Sequence, residues 1–324
     1  MGPALSQPRH PTPDISVVIV TYQNSGEIER SLQSLLRASC RTLQILIADN
    51  ASDDGTREVL ARVAQSAGAS TAAMEVKSLD RNLGFTRALN SLIPRINGEF
   101  VLFLNPDTEW PLAGLDRLLG LLQAAPEVGV VAPQLINADG SVQPSCRRFP
   151  RLRDVWFEIS GLSALFPQSA SFSGWKMGDF DHATARDVDQ PQGACLLARR
   201  ATVEAVGLWD ESFPMFFSDV DWCRRVWKSG WRIRFEPEVK VLHHRGASVR
   251  KRRAAMIWTS HRSFYDYLKK YHQRGGLSLA LGLAGIALLI TAVVRIVSRP
   301  FLHAGRAGVL SDTVRTQSTV KDSS

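Results

Sequence analysis

The chain alternates short apolar runs with segments of helical periodicity. Continuous apolar runs lie at 15–21 (ISVVIVT), 43–48 (LQILIA) and 100–104 (FVLFL), and each has the length of a strand covered on both faces. Between them, 28–36 and 85–93 repeat apolar residues at helical spacing. This strand-helix-strand order predicts an α/β fold with a mostly parallel sheet and helices on both faces.

The second half of the chain is less regular before the pattern returns. Residues 140–190 mix Pro, Ser, Trp and Phe without a period, which predicts loops over one face of the sheet. A strand within 192–200 (QGACLLARR) and a helix over 201–207 (ATVEAVG) follow. We then expect a loop, a helix from about Asp219, and a strand that ends near His243.

Polar residues follow several predicted strands directly, and ligands of such sheets bind beyond the carboxyl ends of strands. Thr21, Asp49 and Asp107 stand at these ends. By the residues alone, Asp49 is equally a helix-capping acid or an acceptor for the N3–H of a pyrimidine base. Asp107, in Asn-Pro-Asp, is either a turn residue or a carboxylate held at the sheet edge to meet a cation.

Two acids and a histidine between residues 216 and 243 complete the set of candidate catalytic and metal-binding residues. In FFSDVDWCRR (216–225), Asp219 is predicted to cap a helix, and Asp221 to pair with Arg224 and Arg225. That leaves Asp219 as the freer carboxylate. A histidine at a strand end, such as His243, is more often a plain surface or core group than a ligand.

Taken together, these groups favour metal-assisted chemistry on a nucleotide diphosphate. Carboxylate oxygen from Asp107 suits Mg²⁺ or Mn²⁺, and imidazole from His243 favours Mn²⁺. Asp219 is the candidate general base. The sequence contains no G-x-x-x-x-G-K, and no G-x-G-x-x-G follows the first strand, which disfavours a kinase and a dinucleotide dehydrogenase.

Six blocks of the sequence, in order, resemble the family 2 glycosyltransferases, and most closely the rhamnosyltransferase-like branch. They are ISVVIVTYQNSGEIERSLQSLL (15–36), ILIADNASDDGT (45–56), RNLGFTRALN (81–90), FVLFLNPDTEW (100–110), GACLLARR (193–200) and the segment 207–246. The resemblance implies a GT-A fold, Rossmann-like, and an inverting, metal-dependent transfer of a sugar from a nucleotide-sugar.

The resemblance also assigns roles to individual positions. Nucleotide-sugar binding falls to residues at or after the strand ends: Thr21, Tyr22, Asp49, Asn82, Asn105 and Asp107. Asp107 and His243 match the ligands of a divalent cation, Mn²⁺ or Mg²⁺, and Asp219 matches the catalytic base. Asn105 stands where many members carry a first Asp, and Ser218 stands where a Glu usually precedes the base. Because Asn105 supplies no carboxylate, we expect the cation to be held more weakly than in those members, whereas Ser218 removes a neighbouring charge that would raise the pKa of the base.

The distribution of charge and hydropathy indicates a membrane. The net charge is +8, and residues 245–274 carry nine Lys and Arg against the single acid Asp266. Residues 275–294 follow without a charge, and as a helix they would be about 30 Å long, the thickness of a hydrocarbon core. The alternatives are a solvated basic face and an oligomerisation helix.

These patterns divide the chain into five segments. We predict a disordered lead over 1–13, a GT-A domain over 14–250, and a basic amphipathic linker or helix over 251–274. A membrane-associated or transmembrane helix is predicted over 275–297 and a flexible tail over 298–324. The expected location is the cytoplasmic face of the plasma (inner) membrane.

The expected function is transfer of a sugar, L-rhamnose from dTDP-rhamnose as the first candidate, in the synthesis of a cell-surface polysaccharide. The donor is a dTDP- or UDP-linked sugar, the acceptor is a glycan or a polyprenyl-linked glycan, and no nucleic acid partner is expected. The alternative is a non-catalytic nucleotide-sugar or polyanion-binding protein at a membrane, which Asn105 and Ser218 favour. A polymerising synthase usually needs several membrane spans, and a single candidate span disfavours it.

Overall fold

The structure is a computed structural model that describes residues 13–66, 72–244, 253–272 and 278–297. The predicted lead, apart from residue 13, and the predicted tail lie outside the described residues. Residues 251, 252, 273 and 274 of the basic segment and residues 275–277 of the apolar segment lie outside them as well.

The described residues form eleven strands, ten α-helices and one short 3₁₀ turn at Ile93–Arg95. The strands are β1 Ile15–Thr21, β2 Leu43–Asp49, β3 Ala72–Ser78, β4 Phe100–Leu104, β5 Thr108–Glu109, β6 Val128–Ile136, β7 Cys146–Arg147, β8 Arg186–Asp187, β9 Gln190–Pro191, β10 Cys195–Arg199 and β11 Arg232–His243. The helices are α1 Ile28–Arg37, α2 Thr56–Ser66, α3 Phe85–Asn90, α4 Gly114–Gln123, α5 Leu152–Ile159, α6 Leu162–Leu165, α7 Arg200–Val206, α8 Ser218–Lys228, α9 Arg253–His272 and α10 Ser278–Val297.

One large sheet organises the domain, in the strand order β3-β2-β1-β4-β10-β6-β11-β5, with β8 paired to β11. The four strands β3, β2, β1 and β4 are parallel, as the alternating pattern predicts. Strand β10 is antiparallel to both of its neighbours, β4 and β6, and β11 runs parallel to β6. The antiparallel β10 was not indicated by the sequence, because an apolar run carries no information on direction.

The sheet is covered on both faces, and alternate residues of each strand enter different cores. In β1, Ile15, Val17 and Ile19 pack with the apolar faces of α1 and α4, whereas Val18 and Val20 belong to the core on the opposite face. Every residue of β1 is buried, which explains why its sequence is mostly apolar, with Ser16 and Thr21 as its polar residues, rather than alternating.

A third apolar cluster joins the end of the domain to the last two helices. Phe264, Tyr267 and Leu268 of α9 pack against Phe217 and Val220 around the start of α8. Helix α10 contributes Leu281 and other residues to the same cluster. Helices α9 and α10 therefore dock on the domain that carries the strands.

Helix α10 has one buried face and one exposed apolar face. Leu279, Ile290 and Val297 each expose more than half of their surface. Within the described residues, this is the one helix that is long and apolar enough to cross a membrane, by length and composition. Exposed apolar surface of this extent is typical of a site that contacts lipid or another protein.

Candidate active site

The carboxyl ends of β1 and β2 lie side by side and carry two of the predicted site residues. Thr21 pairs with Asp49 in the sheet register, and the backbone N–H of Asn50 donates to the carbonyl of Thr21 (2.9 Å). The loops after these strands contain Gln23 and Ala51, with φ values of +58° and +66°. Left-handed backbone at two non-glycine residues is costly and clusters at functional sites.

Asp49 is fully buried, and its carboxylate is held from two sides. Arg57 Nε lies 2.6 Å from Asp49 Oδ2, and the backbone N–H of Ser52 is 3.3 Å from Oδ1. The Arg57 guanidinium also donates to the carbonyl of Leu79 (3.0 Å). One oxygen of Asp49 is therefore engaged by a cation that the sequence analysis did not identify, although Arg57 directly follows the block ending in Thr56.

Hydrogen bonds with the side chain of Asn50 hold Asn82 beside the end of β2. Its Oδ1 accepts from Asn50 Nδ2 (3.0 Å) and from the backbone N–H of Gly84 (2.9 Å). Asn50 in turn accepts from the backbone N–H of Leu83 (2.8 Å). The loop that carries Asn82 is therefore fixed to the strand end that carries Asp49.

Asp107, His243 and Asn105 come together at the other side of β1, although 138 residues separate Asn105 from His243. His243 Nε2 lies 3.4 Å from Asp107 Oδ1 and 3.4 Å from Asn105 Nδ2. The backbone N–H of His244 donates to the carbonyl of Asp107 (2.9 Å), which fixes the two segments to each other. Asp107 and His243 are buried, whereas Asn105 is partly exposed.

Gln143 determines which nitrogen of His243 faces Asp107. The Gln143 amide donates from Nε2 to the carbonyl of His243 (2.7 Å) and to Asn137 Oδ1 (2.8 Å), which leaves its Oε1 facing His243 Nδ1 at 3.0 Å. Nδ1 therefore carries the proton, and in the neutral ring Nε2 presents a lone pair towards Asp107. Residue 143 lies in the region that the sequence pattern assigned to loops, and no signal in it pointed to this role.

Asp219 lies at the start of α8, where two backbone N–H groups hold its carboxylate. Oδ2 accepts from Gly193 N (2.9 Å) and Oδ1 accepts from Val220 N (2.9 Å). Burial raises the pKa of Asp219, and these two hydrogen bonds oppose part of that shift. A carboxylate with a raised pKa is a stronger base than an ordinary one.

Gly193 approaches Asp219 so closely that no side chain fits between them. A Cβ at position 193 would lie 2.9 Å from Asp219 Cβ and 3.3 Å from Oδ2. Gly193 is the first residue of the block GACLLARR, but the sequence does not show why a glycine is required there. That reason is its contact with a residue 26 positions away.

Two local predictions about α8 need correction. Asp219 is not the helix cap, because α8 begins at Ser218 and the cap residue is Phe217, with a left-handed φ of +66°. Asp221 pairs with Arg225 (2.9 Å) as predicted, but the side chain of Arg224 turns to Tyr267, whose hydroxyl accepts from Nη1 (2.7 Å). Packing of α9 against α8 supplied the partner that sequence spacing could not.

Backbone contacts at Gly193 and Ala194 link the segment that carries Asp219 to Asn105. The Asn105 N–H donates to the carbonyl of Ala194 (2.8 Å), and the neighbouring Gly193 holds Asp219. The Asn105 side chain faces His243, which in turn faces Asp107. The side chains of Asn105, Asp107 and His243 therefore lie together, and Asp219 is linked to them through the backbone of Gly193 and Ala194.

The donor set at Asp107 and His243 fits a hard divalent cation. Two acceptor atoms 3.4 Å apart repel each other unless a cation or a proton lies between them. Within the described residues, no group of three or more His, Cys, Asp and Glu side chains is arranged to hold a metal ion. The protein would therefore supply two ligands, and substrate phosphates and water the others, as is usual for Mg²⁺.

Comparison with known proteins decides the family. Residues 16–167 match the family described as Glycosyl transferase family 2. The chain is 31% identical over 270 residues to the N-acetylglucosaminyl-diphospho-decaprenol L-rhamnosyltransferase of Mycobacterium tuberculosis, which covers 80% of this chain and 85% of that protein. The chain belongs to glycosyl transferase family 2. The glycosyltransferase is also 23% identical over 235 residues to the low-salt glycan biosynthesis hexosyltransferase Agl10 of Haloferax volcanii, covering 71% of this chain and 67% of that one.

Solved structures place this glycosyltransferase in the GT-A fold. The mannosyltransferase PcManGT of Pyrobaculum calidifontis, solved with GDP-Man and Mn²⁺, superposes with a TM-score of 0.54 at 18% identity, covering 95% of this chain and 84% of that one. GalNAc-T7, solved with UDP, GalNAc and Mn²⁺, gives a TM-score of 0.52 at 14% identity, covering 73% and 44%. The expected family, fold and enzyme class, with a rhamnosyltransferase-like relative, are confirmed.

Proposed function

We propose that the protein is an inverting, metal-dependent glycosyltransferase that transfers L-rhamnose from dTDP-rhamnose to a lipid-linked GlcNAc acceptor. The observation that carries the sugar and the acceptor is the 31% identity, over 80% of the chain, to a rhamnosyltransferase whose name specifies N-acetylglucosaminyl-diphospho-decaprenol. The geometry at Asp219, Asp107 and His243 supports the mechanism.

Asp219 acts as the general base in this proposal. Its carboxylate removes the proton of the acceptor hydroxyl while that oxygen attacks C1 of the donor sugar. The bond between C1 and the diphosphate oxygen breaks with its electron pair on the nucleotide diphosphate, and attack from the opposite face inverts the configuration at C1. One well-placed base contributes a rate factor of roughly 10²–10⁴.

Asp107 and His243 hold the divalent cation, Mn²⁺ or Mg²⁺. When bound, the cation offsets the negative charge that develops on the departing diphosphate. Gln143 keeps Nε2 of His243 available as a ligand, because its Oε1 accepts a hydrogen bond from Nδ1–H. Two structural relatives were solved with Mn²⁺ and a nucleotide or nucleotide-sugar, which supports this assignment.

Thr21, Tyr22, Asp49 and Asn82 form the nucleotide subsite together with Asn105 and Asp107. Asp49 reads the base, with Arg57 fixing the orientation of its carboxylate from the far side. Arg57 engages Oδ2, so Oδ1, which also receives the long hydrogen bond from the Ser52 N–H (3.3 Å), is the oxygen that accepts from the base N3–H through its second lone pair. A dTDP or a UDP donor presents the same N3–H, so this contact does not separate the two.

We propose that the enzyme works at the cytoplasmic face of the plasma (inner) membrane. The domain over 14–250 is catalytic, the basic segment 251–274 meets anionic lipid, and the helix 275–297 enters the bilayer through its exposed apolar face. Each cation near an anionic surface contributes up to about 1 kcal/mol. The lipid-linked substrate of the mycobacterial relative supports this location.

A donor screen tests the proposal. The full chain in detergent, with Mn²⁺ and polyprenyl-diphospho-GlcNAc, is offered dTDP-rhamnose, UDP-linked sugars and GDP-mannose, and products are identified by mass. We expect a rhamnosylated lipid from dTDP-rhamnose, with the anomeric configuration inverted by NMR. Turnover of a different donor would refute the sugar assignment, and no turnover of any donor would refute the enzymatic proposal.

A further inference from the structure

A large basic cavity lies outside the site described above, between the end of α8 and the end of α9. Its volume is about 590 Å³, within the range of roughly 300–1,000 Å³ of small-molecule sites. Six of its lining residues are cationic or can become so: Arg148, Arg151, Arg153, Arg224, Lys228 and His272. The remaining wall includes three aromatic side chains, Phe149, Trp175 and Trp227.

The carboxylates around this cavity do not neutralise it. The lining holds five fixed cations against two acids, Asp154 and Asp189, an excess of three. Asp154 accepts from the backbone N–H of Arg151 (2.7 Å), and Asp189 from that of Phe149 (2.7 Å). Arg148 is paired with Asp179, outside the lining (2.9 Å), which still leaves an excess of two.

Arg224 is the central cation, and its partners are neutral. The guanidinium lies over the rings of Tyr271 (4.2 Å), Phe149 (5.5 Å) and Tyr267 (5.7 Å), and it donates to the Tyr267 hydroxyl. Burial raises the pKa of Tyr267 to about 12, so this phenol carries no charge near neutral pH. A partly buried cation held only by neutral groups is expected to attract an anion.

Lys228 adds to the positive potential, whereas His272 adds no fixed charge. Lys228 Nζ lies over the ring of Tyr271 at 4.7 Å, and within the described residues the ion pairs of α8 involve neither Lys228 nor Arg224. His272 Nε2 lies 3.3 Å from the carbonyl of Pro150. Burial lowers the pKa of His272, and the nearby Arg224 and Arg151 lower it further.

The position of the cavity indicates where its ligand comes from. Lys228 is nine residues from Asp219 on α8, about 13 Å at about 1.5 Å per residue. His272 ends α9, and the apolar α10 begins six residues later at Ser278. The cavity is therefore lined by the end of the helix that carries the candidate base and by the last residue of α9, the helix that precedes the exposed apolar helix in the chain.

From the unneutralised Arg224 and Lys228, the aromatic wall and this position, we propose that the cavity binds a phosphate or diphosphate group carried by a lipid. Guanidinium matches the geometry of phosphate oxygens, and the aromatic wall suits the apolar group next to them. The lipid is either the diphosphate-linked acceptor, in which case the inference rests on the proposed function, or a phospholipid of the bilayer.

The first experiment measures the site without catalysis. Inorganic pyrophosphate is titrated calorimetrically into the full chain in detergent with EDTA, so that the proposed cation site does not contribute. We expect saturable binding that weakens about tenfold or more in Arg224→Gln and in Lys228→Gln. Arg62→Gln, an exposed arginine of α2, serves as the matched control and is expected to bind as the wild type does.

Several outcomes would overturn the inference. They are no binding by the wild type, unchanged binding in Lys228→Gln, and loss of the metal-free binding in Asp107→Ala. Lys228 is exposed, so its variant keeps the test valid even if Arg224→Gln fails to fold, which thermal unfolding detects.

A second pair of measurements separates the two lipid sources. If the acceptor is the ligand, Lys228→Gln raises the KM for polyprenyl-diphospho-GlcNAc and leaves the KM for the nucleotide-sugar unchanged. If a bilayer phospholipid is the ligand, the acceptor KM is unchanged, and affinity falls for phosphatidylglycerol vesicles but not for phosphatidylcholine vesicles. If neither the acceptor KM nor the affinity for phosphatidylglycerol vesicles changes, a lipid ligand is refuted. If the wild type and its variants all fail to turn over any donor, the proposed function fails. The pyrophosphate titration still decides whether the cavity binds phosphate.

Discussion

Replacing Gly193 by Ala tests whether the Asp219 carboxylate is held in a catalytic position. The added Cβ would lie 2.9 Å from Asp219 Cβ, and an ordinary contact begins at 3.4 Å, so one of the two groups must move by about 0.5 Å. The same shift weakens the 2.9 Å hydrogen bond from Gly193 N to Oδ2. A misplacement of about 1 Å at a reacting group costs about 10²-fold.

We therefore expect kcat to fall about tenfold to a hundredfold in Gly193→Ala, equivalent to about 1.4–2.7 kcal/mol of activation free energy. Affinity for the nucleotide-sugar should stay within about twofold, because the close contacts of the added Cβ are with Asp219, which is not among the predicted nucleotide residues. Initial rates with the lipid-linked acceptor give kcat, and calorimetry gives donor affinity.

Gly120→Ala is the matched control, since a Cβ there meets nothing within 4 Å. Gly120 lies inside α4, where Ala is expected to stabilise the helix by about 0.5–1 kcal/mol and leave kcat unchanged. Wild-type kcat in a folded Gly193→Ala variant would refute the role of Asp219. A large loss of thermal stability in Gly193→Ala alone would show a folding effect instead.

The remaining predictions concern the base, the cation site and the last two helices. Asp219→Asn should abolish turnover and retain donor binding. In the wild type, kcat/KM should fall on the acidic side with a pKa above the ordinary Asp value of about 3.9, because burial raises the pKa of Asp219 and only the ionised form accepts the proton. An acidic pKa near 3.9 would contradict this. Gln143→Leu should weaken Mn²⁺-dependent nucleotide binding about 10- to 100-fold in calorimetry by freeing the His243 ring, and unchanged affinity would remove Gln143 from the site. Asp107→Ala should abolish the Mn²⁺ dependence of that binding; the same Mn²⁺ response as in the wild type would contradict it. Asp221→Ala should lower the free energy of unfolding by about 3 kcal/mol in urea titrations, because the buried carboxylate binds Arg225, Lys270 and Tyr271; a loss below about 1 kcal/mol would show that these contacts are dispensable.

The sequence by itself determined strands β1, β2 and β4, their parallel order, and the family, whereas it did not indicate β6. Strand β1 is Ile15–Thr21, as its apolar run predicts, and Asp49 ends β2. These features are local, because a strand buried on both faces requires an unbroken apolar run and the turn after it requires polar residues. The six blocks that resemble family 2 glycosyltransferases lie in such strands, turns and helix starts.

Only the tertiary structure decided which distant groups meet. The direction of β10, the pairing of Gly193 with Asp219, the fixing of His243 by Gln143 and the turn of Arg224 towards Tyr267 all join residues at least 26 positions apart. No local pattern encodes such contacts, since they depend on how the packed sheet and helices place each backbone segment. The basic cavity likewise exists only because α8 and α9 pack together, which leaves Arg224 among aromatic rings rather than paired with Asp221.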